Sequence, residues 1–110
     1  MTLNDDQMLC VILNEIIQET KIPLNKLISY GTNHRCKKQT QDARRIFFVL
    51  SKILTGSTHK VIAKKINICY TNVSHTIREH YQWRYSFDKE YKELYDRLKS
   101  KIEGNEQKYF

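Results

Sequence analysis

Thr71, Asn72, His75 and Arg78 stand within the stretch Ile62 to Tyr81, IAKKINICYTNVSHTIREHY. At about 100° per residue, a helix from Tyr70 to Tyr81 turns these four and Glu79 away from Val73, Ile77 and His80 or Tyr81. Threonine, asparagine, histidine and arginine are side chains that bond base edges or phosphate oxygens. The unpaired N–H groups at the start of such a helix suit a phosphate. Tyr70 lies near Val73 by angle, so its position fits a packed tyrosine as well as a base contact. The segment before it, about His59 to Ile66, predicts a short helix with Ile62, Ala63 and Ile66 inward and Lys60, Lys64 and Lys65 outward. Asn67 suits the left-handed residue of a tight turn between the two. Two short helices joined by two or three residues have the helix-turn-helix spacing, which many helical hairpins share.

The charge around this stretch is of one sign. The 110-residue chain carries a formal net charge of +7. Residues 1–30 hold −2 and residues 86–110 are balanced, so residues 31–85 carry +9, with only Asp42 and Glu79 as acids. From Ala43 to Arg78 there is no carboxylate. A surface that is merely solvated mixes signs, whereas a block of one sign predicts a positive face whose natural partner is a polyanion.

The rest of the chain predicts helices that hold this pair. Asn4 or Thr2 caps a first helix to about Thr20, with Asp5 and Asp6 at its positive end and Leu9, Ile12, Leu13, Ile16 and Ile17 as its stripe. Pro23 opens a short helix to Ser29, with Leu24, Leu27 and Ile28 inward. Tyr30 to Lys38 is a loop, basic through Arg35, Lys37 and Lys38, and able to enter a minor groove or simply to be solvated. Thr40 caps a third helix, about Gln41 to Leu54, whose residues Ile46, Phe47, Val49, Leu50, Ile53 and Leu54 suit the middle of the domain. Arg44 and Lys52 share its remaining face. Gly56 ends it, and Ser57 or Thr58 caps the next. Trp83, Tyr85 and Phe87 fall in a linker, as a seam between helices or as a stacking platform for single strands. Ser86 caps a last helix to about Glu103, with Phe87, Tyr91, Leu94, Tyr95, Leu98 and Ile102 inward. Residues 1–103 thus form one all-α domain of about six helices, and 104–110 a flexible tail.

Other chemistries find little purchase. No apolar run approaches ~20 residues, and the acidic N-terminus is no signal peptide, so the expected compartment is the cytoplasm. Cys10, Cys36 and Cys69 are odd in number and widely spaced, which predicts free thiols. With His34 and His75 they lack the paired spacing of a zinc site. No glycine-rich phosphate loop is present. The expectation is a protein that is no enzyme and holds no metal or cofactor.

The stretches DARRIFFVLSKILTGST and YTNVSHTIREH resemble the C-terminal DNA-binding domain of the bacterial replication initiator DnaA, a Trp-repressor-like helix-turn-helix fold. The likeness spans about residues 10–102. Arg44, Ile46, Leu50, Lys52, Leu54 and Thr55 match the family's central helix, and Thr71, Val73, His75 and Arg78 match its signature. Cys69 and Tyr70 replace the family's Asp-His pair, Asn72 replaces a threonine, and the turn at Asn67 and Ile68 is shorter. The initiator's ATPase domain has no counterpart here.

The resemblance implies double-stranded DNA as partner. Tyr70, Thr71 and Asn72 are then the candidate base contacts, and Arg44, Lys52, Lys60, His75 and Arg78 the phosphate contacts. Arg35, Lys37 and Lys38 are the minor-groove loop. The target is expected to differ from the initiator's usual box. The rival expectation is a protein-interaction module on the same scaffold, docking on replication proteins or an acidic partner.

Overall fold

The computed structural model describes residues 4–27 and 38–109, the last five of these by backbone alone. These residues are all helical, with no strand among them. The chain has an all-α fold.

Helix α1, Asp5–Thr20, begins at a reciprocal cap: the Gln7 N–H donates to Asn4 Oδ1 at 2.8 Å, and the Asn4 N–H to Gln7 Oε1 at 3.0 Å. Such a capping box satisfies two N–H groups that the helix leaves without partners. The helix ends where Lys21 turns left-handed, with φ of 62°. A single turn, α2, Leu24–Leu27, follows Pro23. It buries Leu27, whereas Leu24, expected inward, is exposed.

Helix α3, Lys38–Thr55, is the centre of the domain. It packs on α1 and α2, and on the helices that follow. Ala43, Ile46, Phe47, Phe48, Val49 and Leu50 are all buried, so one face of α3 meets α1 while the others are covered in turn. Ile53 is exposed, contrary to its sequence assignment. The helix also starts earlier than Thr40 predicts. Lys38 lies in its first turn and bonds Asp42 at 2.8 Å and Asp88 at 3.1 Å. That clamp extends the helix backwards past Thr40.

Gly56 closes α3 with φ of 68°, a conformation that costs a side chain energy. The Thr58 hydroxyl then accepts from the Val61 N–H and caps α4, His59–Lys65. Ile62, Ala63 and Ile66 are buried against α3 and α5. Asn67 takes φ of 55°, and the Ile68 N–H returns to the Ala63 carbonyl at 3.0 Å. This left-handed turn redirects the chain into α5, Tyr70–Glu79.

No linker follows α5. A π-helical turn, His80–Arg84, continues it into a last α turn, α6, Tyr85–Phe87. Trp83, Tyr85 and Phe87 therefore sit on a helical extension. Phe87, expected inward, is 79 % exposed, and Tyr81 is exposed as well. Asp88, not Ser86, starts the last helix α7, Lys89–Tyr109: its backbone is extended and Oδ1 accepts from the Tyr91 N–H at 3.2 Å. Tyr91, Leu94, Tyr95, Leu98 and Ile102 are buried as the stripe predicts. Helix α7 runs through Gly104 to Tyr109. A glycine inside a helix costs about 1 kcal/mol and does not by itself end one. Among the described residues, no helix is long and apolar enough to cross a membrane.

Candidate nucleic-acid interface

The α4–turn–α5 unit is anchored from below and open above. Val73 is fully buried and Ile77 packs against the core. Opposite them, Thr71, Asn72, His75 and Arg78 are exposed. Thr71, Ser74, Arg78 and Gln82 recur every three or four residues, and with His75 they form an outward stripe. Ser74 and Gln82 follow from the same helical angle as Thr71 and Arg78, and they extend the candidate face by one residue inside it and one beyond its end.

A cleft of about 300 Å³ opens on this stripe, lined by His59, Tyr70, Thr71, Ser74, His75 and Arg78. Among the described residues, no carboxylate lines it. His59 comes from the first turn of α4, brought beside α5 by the left-handed turn at Asn67. No spacing along α5 could have singled it out. Tyr70 is 48 % exposed and the Lys60 ammonium stands 5.4 Å from its ring centroid. Of the two positions open to Tyr70, core or surface, it takes the surface. Cys69 Sγ lies 3.1 Å from Thr71 Oγ1. That hydroxyl, and then the Thr71 N–H, hold the exposed thiol below the ordinary cysteine value.

Glu79 is the one acid on the outer side of α5, and it is engaged. Its carboxylate holds Arg84 at 2.8 Å and His75 Nε2 at 3.1 Å. Arg84 is buried, with its guanidinium 4.3 Å from the Trp83 ring centroid. The Glu79 charge is thus directed inward to a buried cation. It also holds His75, one of the candidate phosphate contacts.

The remaining candidates divide. Lys60 and Arg78 are exposed beside the cleft. Arg44 is turned to the chain itself, donating from Nε to the Leu27 carbonyl at 2.7 Å and from Nη2 to the Lys26 carbonyl at 2.8 Å. It thereby binds the carbonyl end of α2, a task that competes with any phosphate. Lys52 donates to the Ser57 carbonyl at 3.1 Å and ties α3 to the loop before α4. Lys38 belongs to α3, not to a loop. Burial opposes its charge, but the carboxylates of Asp42 and Asp88 outweigh that and hold its ammonium above the usual lysine value. A lysine so clamped is no free minor-groove arm. Arg35 and Lys37 lie outside the described residues.

A second exposed feature lies at the far end of the α5 extension. Tyr81, Trp83 and Phe87 are 65 %, 40 % and 79 % exposed. All three lie on the helical extension of α5. Among the described residues no three His, Cys, Asp or Glu side chains come together as metal ligands would. Compared with known family models, curated proteins and solved structures, the chain matches none.

Proposed function

We propose that this chain is a non-catalytic, double-stranded DNA-binding protein that lays α5 in the major groove. One observation carries the reading. The stripe Thr71, Ser74, His75, Arg78 and Gln82 is outward-facing, hydrogen-bonding and free of acids, and it borders an open cleft with Lys60 at its edge. A helix of this kind, projected by a preceding short helix across a tight turn, is the docking geometry of helix-turn-helix proteins. The excess of positive charge in residues 31–85 supplies the attraction to phosphate.

In this reading Thr71, Asn72 and Tyr70 meet base edges, and Lys60, His75 and Arg78 hold phosphates. His59 and Ser74 line the same cleft and add to the grip. Arg44 and Lys52 position α2 and α4, and contribute less to binding than their charge suggests. The order of helices is consistent with the replication-initiator-like scaffold that the sequence resembles. A role at the chromosome, in replication or its regulation, follows from that resemblance.

Selection from a random duplex pool at two salt concentrations tests the proposal. Binding that weakens with a log–log slope of about −2 to −3 supports it, as for a protein that neutralises about two or three phosphates. Absence of duplex binding at low salt overturns it. That result would favour a second reading, a protein-docking module, for which the exposed Tyr81, Trp83 and Phe87 speak.

A further inference from the structure

We infer that the cleft beside α5 reads the 5-methyl group of thymine, through the Tyr70 ring and the Thr71 methyl. The inference rests on the duplex-binding reading above and names the base it selects. Tyr70 opens α5 with half its surface exposed, and Lys60, from the other helix of the pair, stands over its ring at 5.4 Å. Lys60 is a positioning residue here: it holds the aromatic face at the mouth of the cleft.

Thr71 is exposed, but its hydroxyl is engaged with Cys69 Sγ at 3.1 Å. With the hydroxyl beside Cys69, the apolar contact that Thr71 offers is its methyl group. Tyr70 and Thr71 thus bring an aromatic ring and a methyl to a cleft otherwise lined by His59, Ser74, His75 and Arg78. Among the four bases, only thymine presents a methyl group in the major groove, and threonine methyls and aromatic rings are the groups that pack on it.

The neighbouring residues point the same way. Guanine is read chiefly by a bidentate arginine or lysine. From Tyr70 to Ile77 there is neither, and Arg78, which lines the cleft two turns further along the helix, is assigned to phosphate in the reading above. Asn72, exposed in the same turn, is the side chain that bonds adenine N6 and N7. An A·T pair thus offers both of its partners to the first turn of α5.

The test uses the full chain and a duplex selected from the random pool, with each thymine replaced in turn by deoxyuridine, which lacks only the methyl. Replacement at one or two positions should weaken binding about fourfold, the effect of removing one buried methyl-sized group. Thr71→Ser keeps the hydroxyl for Cys69 and removes the methyl, and Tyr70→Ala removes the ring. In at least one of these variants the uracil penalty should shrink toward none. Equal binding of thymine and uracil duplexes overturns the thymine reading and leaves duplex binding standing. A penalty of the same size in both variants overturns the assignment to these residues. No duplex binding at low salt overturns the underlying reading, and this one with it.

Discussion

The Nδ1 atom of His80 lies 2.8 Å from the hydroxyl of Tyr91, and both residues are buried. The bond ties the extension of α5 to α7. Around the imidazole, Tyr81, Tyr85, Tyr91 and Tyr95 place their ring centroids within 4.7–5.6 Å. Burial first, then the charges of Lys99 and Arg84, push His80 below its ordinary value of 6.5. The folded state therefore favours the neutral ring, whereas the unfolded chain takes up a proton below about pH 6.5. The stability this provides is fully present above 6.5 and is lost as pH falls from there through the depressed folded value. His80→Gln should be less stable than wild type by about 1–3 kcal/mol at pH 8, through the disturbed Tyr91 hydroxyl. That difference should narrow toward pH 5.5. Urea unfolding across the range measures it, and a difference constant with pH would place the acid sensitivity elsewhere.

Arg44 holds the last carbonyls of α2 and is expected to act through stability. Its two hydrogen bonds, at 2.7 and 2.8 Å, are charge-assisted and partly shielded from water. Arg44→Ala should lower unfolding free energy by about 2–4 kcal/mol, the worth of two such bonds discounted for exposure. The salt slope of DNA binding should stay the same when measured below the variant's unfolding temperature. A slope reduced by about one unit would make Arg44 a phosphate contact after all.

Glu79 sets binding against stability. Its carboxylate restrains His75 at 3.1 Å and neutralises the buried Arg84 at 2.8 Å. Glu79→Gln removes the one negative charge from the outer side of α5 and releases the imidazole. Duplex affinity at low salt should rise about threefold, the effect of one unit charge removed at roughly 6 Å in water. Thermal stability should fall at the same time, by about 1–3 kcal/mol, because Arg84 exchanges a charged partner for a neutral one. Tighter binding together with a lower melting temperature is the signature. Weaker binding would mean that Glu79 orders His75 for its contact.

How much of this could be read from the residues depends on how local each cause is. The break at Gly56 and the turn at Asn67 were legible, and the caps were narrowed to Asn4 or Thr2 and to Ser57 or Thr58, because each device lies within a few residues of its effect. The start of α3 was not, since Lys38 is held by Asp88, fifty residues away in sequence. The extension of α5 was also hidden. There the Tyr85 N–H reaches back to the His80 carbonyl, a five-residue step that widens the turn and brings Tyr85 Oη to within 2.8 Å of Asp96. Only the packing of α7 makes that worthwhile. The outward face of α5 was legible from angle alone. Which of its basic neighbours are free was not, because Arg44 and Lys52 are captured by backbone carbonyls, and carbonyls have no signature in a sequence.

Lys60 and Arg78 should differ from Lys52 in their effect on salt dependence. Both are exposed at the cleft, and neither ammonium nor guanidinium is drawn into the loops that shape the domain. Lys52 instead donates to the Ser57 carbonyl, beside the bonds that Thr55 makes to Ser51 and Ser57 and ahead of the Thr58 cap. Each phosphate neutralised contributes about −0.9 to the slope of log affinity against log salt. Lys60→Ala and Arg78→Ala should each make the slope shallower by about one, and Arg78→Ala should weaken all sequences alike, whereas Lys60→Ala also loosens the Tyr70 ring. Lys52→Ala should lower the unfolding midpoint and leave the slope as it is. Fluorescence anisotropy between 50 and 200 mM salt is sufficient to separate the two classes, since about one unit of slope amounts to a fourfold change over that range. If Lys52→Ala flattens the slope as much as Arg78→Ala does, the lysine leaves its carbonyl to meet the phosphate, and the loop before α4 rearranges when DNA binds.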